Sequence, residues 1–323
     1  VNPPTSQHQP PAPGEDRRIP APPRRILVVI DPVAHQQVAL EKAVVIAGHC
    51  RSSLELYICD EQQDLPESWA GGSRTREYRE MRRLQLLDEL NALARPLKAR
   101  GLDVGTACEW HAPLEQGIGY HVIRTAPDLV IKETHRHEPV PRASLSRTDW
   151  NLVRQVPAPL LLVRPKPWPA SPRVAAAVDP CHPADRPPAL DQAVLEKGRL
   201  MADVLGGALD VYHALQNIPH LPNEPVPAEQ KATALALARD AVGQLARTAQ
   251  GVAHFAEGSV IDGLVKLARQ HEADVLVVGA VARPHSSNSQ AGGTAAQLLE
   301  RLDCDLLVVK PPGFISPLLV TDE

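Results

Sequence analysis

Aromatic residues are scarce in this chain: Phe, Trp and Tyr together make up 3% of 323 residues. That leaves few platforms on which unpaired bases could stack, and it obliges any core to be built from Leu, Val, Ile and Ala. Charge of one sign is scarce too. With 22% charged residues and a formal net charge of -4, the field is too weak to suggest a polyanionic partner, so no nucleic acid is expected. Cys50, Cys59, Cys108, Cys181 and Cys304 are scattered without a C-x-x-C pair. An odd, unpatterned set fits reduced thiols and a cytoplasmic setting. No apolar run approaches the length needed to span a bilayer, and prolines stand where a signal peptide would place its apolar stretch. A soluble protein without membrane contact is expected. The sequence also lacks G-x-x-x-x-G-K-[ST], H-E-x-x-H and G-x-S-x-G, which removes the parts of a P-loop NTPase, a zincin and an α/β-hydrolase. No catalytic residue is assigned, and a non-enzyme is expected.

Proline is plentiful, and it is dense in residues 1–24, "VNPPTSQHQPPAPGEDRRIPAPPR". Such a segment cannot bury enough surface to offset the cost of ordering, so it reads as a disordered arm. The rest is long enough for two α/β cores, and its landmarks occur twice in the same order. "RRILVVIDP" (24–32) answers "PRVAAAVDP" (172–180), and "LELYICD" (54–60) answers "ALDVYHAL" (208–215). "APDLVIKE" (126–133) answers "EADVLVVG" (272–279), and "APLLLVRP" (158–165) answers "CDLLVVKP" (304–311). Asp128 and Asp274 are 146 residues apart, as are Pro165 and Pro311. Recurrence at fixed order and spacing marks an internal repeat.

Within each copy, continuous apolar runs of about five residues alternate with helical patterns, which is the signature of strands buried on both faces of a parallel sheet. In "SVIDGLVKLARQH" (259–271) the apolar residues fall on one helical stripe, with Ser259 and Asp262 placed as a capping pair. The longest helices are predicted over 73–99 and 227–249. The expected fold is α/β: two tandem doubly wound five-stranded parallel-sheet domains. The first spans 25–165 and the second 173–312, with a proline-stiffened linker at 166–172 and a tail at 313–323. Such sheets bind ligands at the carboxyl ends of their strands.

At that edge Asp31 and Asp179 each end a first strand. Two readings are open for both: an acceptor for a ribose or base, or the ordinary turn chemistry of Asp-Pro. In the second copy the fourth strand ends at Gly279, and Gly292, Gly293 and Thr294 open the next helix. Glycines let a backbone approach a phosphate, and free N–H groups at a helix start attract anions. Alternatively, Thr294 and Gln297 form a T-x-x-Q capping box. His135 and His137 in "KETHRHEP" point the same way on an extended segment and could reach one zinc ion. His111, Glu133, Cys108 or Glu109 would have to complete the site. The other reading is solvated loop histidines.

Residues 25–323 resemble the universal stress protein family, in the tandem arrangement of its two-domain, E-type members. "TDWNLVRQVPAPLLLVRPKPWP" (148–169) and "GGTAAQLLERLDCDLLVVKP" (292–311) carry the resemblance. It implies a Rossmann-like, adenine nucleotide alpha hydrolase-like fold, a role in stress adaptation, and an intramolecular pseudo-dimer made through the fifth strands, with further dimerisation open. The family's ATP-binding members carry G-x-x-G, nine residues, then G-S/T. Here Gly279 fills the first position, Ala282 replaces the second glycine, Gly292 lies at the right distance, and Gly293 replaces the hydroxyl residue, with Thr294 one place later. In the first copy Glu133, Arg136, Ser146, Arg147 and Thr148 stand at these places, and a carboxylate at Glu133 would repel phosphate. Arg136, Arg142 and Arg147 would still attract an anion, or simply face solvent. The expected ligand is therefore ATP, another adenine nucleotide or a related small molecule, held in the second copy near Asp179, Gly279 and Gly292, with the first copy as scaffold. The alternatives are a partly apolar or sugar-nucleotide ligand with a zinc site in the first copy, or weak ATP hydrolysis.

Overall fold

The computed structural model describes residues 21–34, 36–61, 73–134, 147–181, 187, 189–215, 228–280 and 293–320. The predicted arm lies outside the described residues except for its last four, and the histidine pair lies outside them altogether. The first half contains β1 (Arg25–Val29), α1 (Val38–Cys50), β2 (Ser53–Asp60), α2 (Ser73–Ala99), β3 (Val104–Trp110), α3 (Leu114–Thr125), β4 (Leu129–Glu133), α4 (Arg147–Gln155) and β5 (Leu160–Val163). The second contains β6 (Val174–Ala177), α5 (Ala189–Leu205), β7 (Leu209–Leu215), α6 (Ala228–Thr248), β8 (Val252–Glu257), α7 (Val260–Gln270), β9 (Val275–Gly279), α8 (Thr294–Arg301) and β10 (Asp305–Val309).

The apolar runs are strands because every residue of β5, β6 and β10 is buried. A strand covered on both faces has no place for a polar alternation. Successive side chains point to opposite faces, and each set feeds its own layer. Ile26 and Val28 of β1 belong to the layer of α1, α2, α5 and α6, together with residues such as Ile46, Leu90, Val194 and Val242. Leu27 and Val29 belong to the layer of α3, α4, α7 and α8, together with Ile118, Leu152, Leu264 and Leu298. Full burial of one such Leu or Ile is worth about 2 kcal/mol. Helix α7 starts as its sequence predicts: the Ser259 hydroxyl accepts the Asp262 N–H at 3.1 Å.

The two predicted sheets are one. Its ten strands run β3-β2-β1-β4-β5-β10-β9-β6-β7-β8, and the pairings are parallel except at the junction, where β5 and β10 are antiparallel. Leu161 stands opposite Leu307, Leu162 opposite Leu306 and Leu160 opposite Val308. Since Leu161 and Leu307 are 146 residues apart, the shift read from the sequence is the operation of a pseudo-two-fold axis through that pair.

Polar groups straddle the junction. Lys42 of α1 lies 2.7 Å from Asp305 Oδ2 of β10, and both residues are buried, at 3% and 2% exposure. The same carboxylate accepts the Arg164 N–H at 2.8 Å and the Trp168 indole N–H at 2.7 Å. Just beyond β5, the Arg164 guanidinium donates to the carbonyls of Leu299 and Leu302 at the end of α8. Just beyond β10, Lys310 donates to the carbonyl of Val153 in α4. Each half thus sends a basic side chain across to donate to the last carbonyls of the other half's fourth helix. The chain then turns over the first half: the Ser316 hydroxyl donates to the Gln155 carbonyl at 2.7 Å, and Leu318 fills the space a side chain would need at Gly119 of α3.

Candidate functional site

An antiparallel junction sends the carboxyl ends of the two half-sheets to opposite rims. The predicted ligand site belongs to the second half's rim. There β6 pairs with β9, Ala177 beside Val278, so the strand ends leading to Asp179 and Gly279 are neighbours. Asp179 is half-buried, and its N–H donates to Asp191 Oδ2 of α5 at 3.1 Å. Gly279 pairs with Val309, and the Ala280 N–H that follows bonds the Val309 carbonyl at 2.9 Å. Helix α8 opens on the same rim, with Gly293 as its N-cap and Thr294 as its first residue.

The T-x-x-Q capping box requires Thr294 to be the N-cap, and the structure puts Gly293 there instead. The Gly293 carbonyl accepts from Ala296 and Gln297, but a glycine brings no side chain to bond the free N–H groups of the first turn. Nor do the described residues require glycine at that place: its φ is -52°, and a side-chain carbon built there meets none of their heavy atoms within 4 Å. Asp179, Gly279, Gly293 and Thr294 therefore share one rim, around a helix start that is uncapped by its own N-cap residue. Ala282 and Gly292 lie outside the described residues.

On the first half's rim Asp31 does turn work. Its Oδ1 accepts the Val33 N–H at 3.0 Å, and its carbonyl accepts from Ala34 and Gln37. Glu133 is buried at the end of β4, and strand alternation places it on the α1 and α2 side, away from the start of α4. The groups facing α4 are its neighbours. Lys132 Nζ lies 2.9 Å from Asp149 Oδ1, and the Thr134 hydroxyl donates to Asp149 Oδ2 at 2.7 Å. Asp149 is 1% exposed and Thr134 is fully buried. This trio escaped the sequence reading, although a signal was present: the 146-residue shift puts Val278, Ala280 and Ala295 in its place. Of the arginines, Arg136 and Arg142 lie outside the described residues, and Arg147 begins α4.

The metal reading gains nothing from the described residues, among which no three His, Cys, Asp or Glu side chains are grouped to hold an ion. His135 and His137 lie outside them. His111 Nδ1 faces the Pro113 carbonyl at 3.3 Å, and its ring leans on Tyr120. Burial pushes the Cys108 and Cys59 thiols up to about 11 and Cys304 to about 12, so all three stay protonated near neutrality.

A second recurring arrangement also went unread. Glu55-x-Tyr57 on β2 and Asp210-x-Tyr212 on β7 each meet histidine. His121 stacks on Tyr57 at 3.9 Å between Glu55 and Glu109, each 3.3 Å away. His254 lies 3.0 Å from Asp210 and 5.8 Å from the Tyr212 ring. Both tyrosines are fully buried within the α3, α4, α7 and α8 layer. A cavity of about 470 Å³ opens at the amino ends of β6, β9 and β10, lined by Lys166, Arg173, Arg269, Glu272, Asp274 and Asp303 among others. It lies on the rim away from Gly279 and Gly293.

The model of the universal stress protein family matches residues 23–164 and again 172–310. The chain is similar to Universal stress protein E of Salmonella typhi, at 27% identity over 321 residues, covering 93% of this chain and 98% of that one. It is similar to Universal stress protein E of Escherichia coli strain K12, at 26% identity over 317 residues with the same two shares. Among solved structures, a functionally unknown protein from Pseudomonas aeruginosa PAO1 superposes with a TM-score of 0.70 at 28% identity, over 90% of this chain and 93% of that one. A universal stress protein from Archaeoglobus fulgidus shares the fold, with a TM-score of 0.63 at 12% identity, over 89% and 98% of the two chains.

Proposed function

The chain belongs to the universal stress protein family as a tandem of two such domains, and from that premise we propose that it serves stress adaptation by binding an adenine nucleotide or a related small ligand in its second half. The role is non-catalytic and cytoplasmic. The observation that supports this reading is Gly293. Among the described residues neither packing nor backbone conformation calls for glycine there, and Gly293 brings no side-chain cap to the N–H groups of the helix start beside it. In the proposed complex those N–H groups and the Thr294 hydroxyl face phosphate, Gly279 lets the backbone come close, and the Asp179 carboxylate accepts from a ribose or base. Gly292 and Ala282 join them by spacing along the sequence. Ligand contacts that favour one arrangement of this rim would shift its population and alter a surface read by a partner.

Two substitutions at Gly293 test the site by isothermal titration with ATP. Gly293→Val fills the approach and is expected to weaken binding at least tenfold, while an unfavourable N-cap lowers stability by only about 1 kcal/mol. Gly293→Ser restores the hydroxyl of the family motif and is expected to tighten binding. Equal affinity in both variants and the unaltered protein would remove the ligand from this rim. A second reading has its own support: Val278, Ala280 and Ala295 make the neighbouring face apolar, which suits a partly apolar or sugar-nucleotide ligand. Native mass spectrometry of the untreated protein separates the two by the mass retained.

A further inference from the structure

Lys132, Thr134 and Asp149 hold one another where the first half's β4 meets the start of α4. In the second half the matching place between β9 and α8 is the rim assigned above to phosphate. An anion bound there would draw on a helix start and on nearby cation and hydroxyl donors. The first half supplies all three to its own carboxylate. Asp149 sits in the first turn of the nine-residue α4, where negative charge is favoured. Lys132 supplies the ammonium and Thr134 the hydroxyl. Asp149 and Thr134 are almost completely buried, as are Val278 and Ala295 at the matching place. None of the three has a polar counterpart in the second half, where Val278, Ala280 and Ala295 stand instead. Glu133, which the sequence singles out as the repelling group, lies on the other face of its strand.

We propose that Asp149 is an internal anion mimic that occupies the phosphate position of the first half, so that the chain takes one nucleotide, in its second half, and not two. This rests on the second-half site proposed above, and the test separates the two claims. Asp149→Ala installs the residue that the second half carries at that place. Isothermal titration with ATP is expected to show one more site per chain than in the unaltered protein, with a dissociation constant below about 1 mM. In Gly293→Val/Asp149→Ala the added site is expected to remain alone. Lys132→Val/Thr134→Ala/Asp149→Ala, which removes the donors as well, is expected to add none. If Asp149→Ala does not unfold cooperatively, Asp149→Asn keeps the shape and the acceptor for Thr134, and the same gain of one site is expected at lower affinity. The readout is a change in the number of sites, so it holds whether the unaltered protein binds one ATP or none; none would refute the second-half site only. A folded Asp149→Ala or Asp149→Asn with an unchanged number of sites overturns the mimic, as does a gain that persists in the triple variant.

Discussion

Replacing Lys42 by Met keeps the aliphatic packing of the side chain and deletes one charge from the ion pair across the junction. Breaking a buried pair by removing one partner costs about 3–5 kcal/mol, because the other charge is left in a poorly polarisable place. Lys42 and Asp305 meet the condition, at 3% and 2% exposure. Asp305 would keep the Arg164 N–H and the Trp168 indole N–H, which places the expected loss near the low end, about 3 kcal/mol. Burial already raises the Asp305 pKa against the pull of Lys42, and removing Lys42 raises it further. A carboxyl with a raised folded pKa binds more protons folded than unfolded between the two pKa values, so its contribution to stability falls as pH rises through that window. The deficit of Lys42→Met, measured by urea unfolding against the unaltered protein, should therefore be smaller near pH 5 than near pH 8. A cycle with Asp305→Asn should show coupling of about 2 kcal/mol. A deficit below about 1 kcal/mol at neutral pH, or additivity in the cycle, would refute the view that this pair holds the halves together.

Lys310 gives a pH dependence of the opposite sign. Burial, with Arg154 nearby, pushes its pKa down to about 7, so above that pH the unfolded chain binds more protons and stability rises toward the unmodified lysine value near 10.5. Between pH 7 and 9 the unaltered protein should gain about 2 kcal/mol relative to Lys310→Met, read from chemical denaturation at each pH; parallel curves would show that the amine does not titrate there. Gly207→Ala puts a methyl group into the Pro172 carbonyl oxygen. Since both partners are backbone, it should cost about 3 kcal/mol or more, and a melting temperature within two degrees or so of the unaltered protein would contradict that packing.

The strands were legible because burial on both faces forbids polar residues: "LLLVR" and "LLVVK" could scarcely be anything else. The repeat was legible as well, and its shift of 146 residues is the one that relates Leu161 to Leu307; that the copies meet through their fifth strands was implied by the family resemblance, not by the spacing. Side-chain partners were not. Lys42, in "LEK" on α1, reads as a solvated helix face, and only the junction 263 residues away makes it buried. Glu133 aligns with Gly279, yet strand alternation turns it away from the start of α4, where the carboxylate that meets Lys132 and Thr134 is that of Asp149. The capping box failed by one residue, because a helix start depends on where the backbone leaves the extended region, which spacing alone does not fix.

Two separate chains related by a symmetry axis must carry every substitution twice. Here both sides of the axis belong to one polypeptide, and the junction shows what that freedom has allowed. Leu195-Glu196-Lys197 on α5 repeats Leu40-Glu41-Lys42 of α1, yet the place matching Asp305 holds Pro159, and Lys197 and Pro159 line a cavity of about 30 Å³. The cross-axis charge pair stands on one side of the axis and not on the other. A single chain can carry such a lopsided junction across its own axis, an asymmetry closed to any assembly of identical subunits.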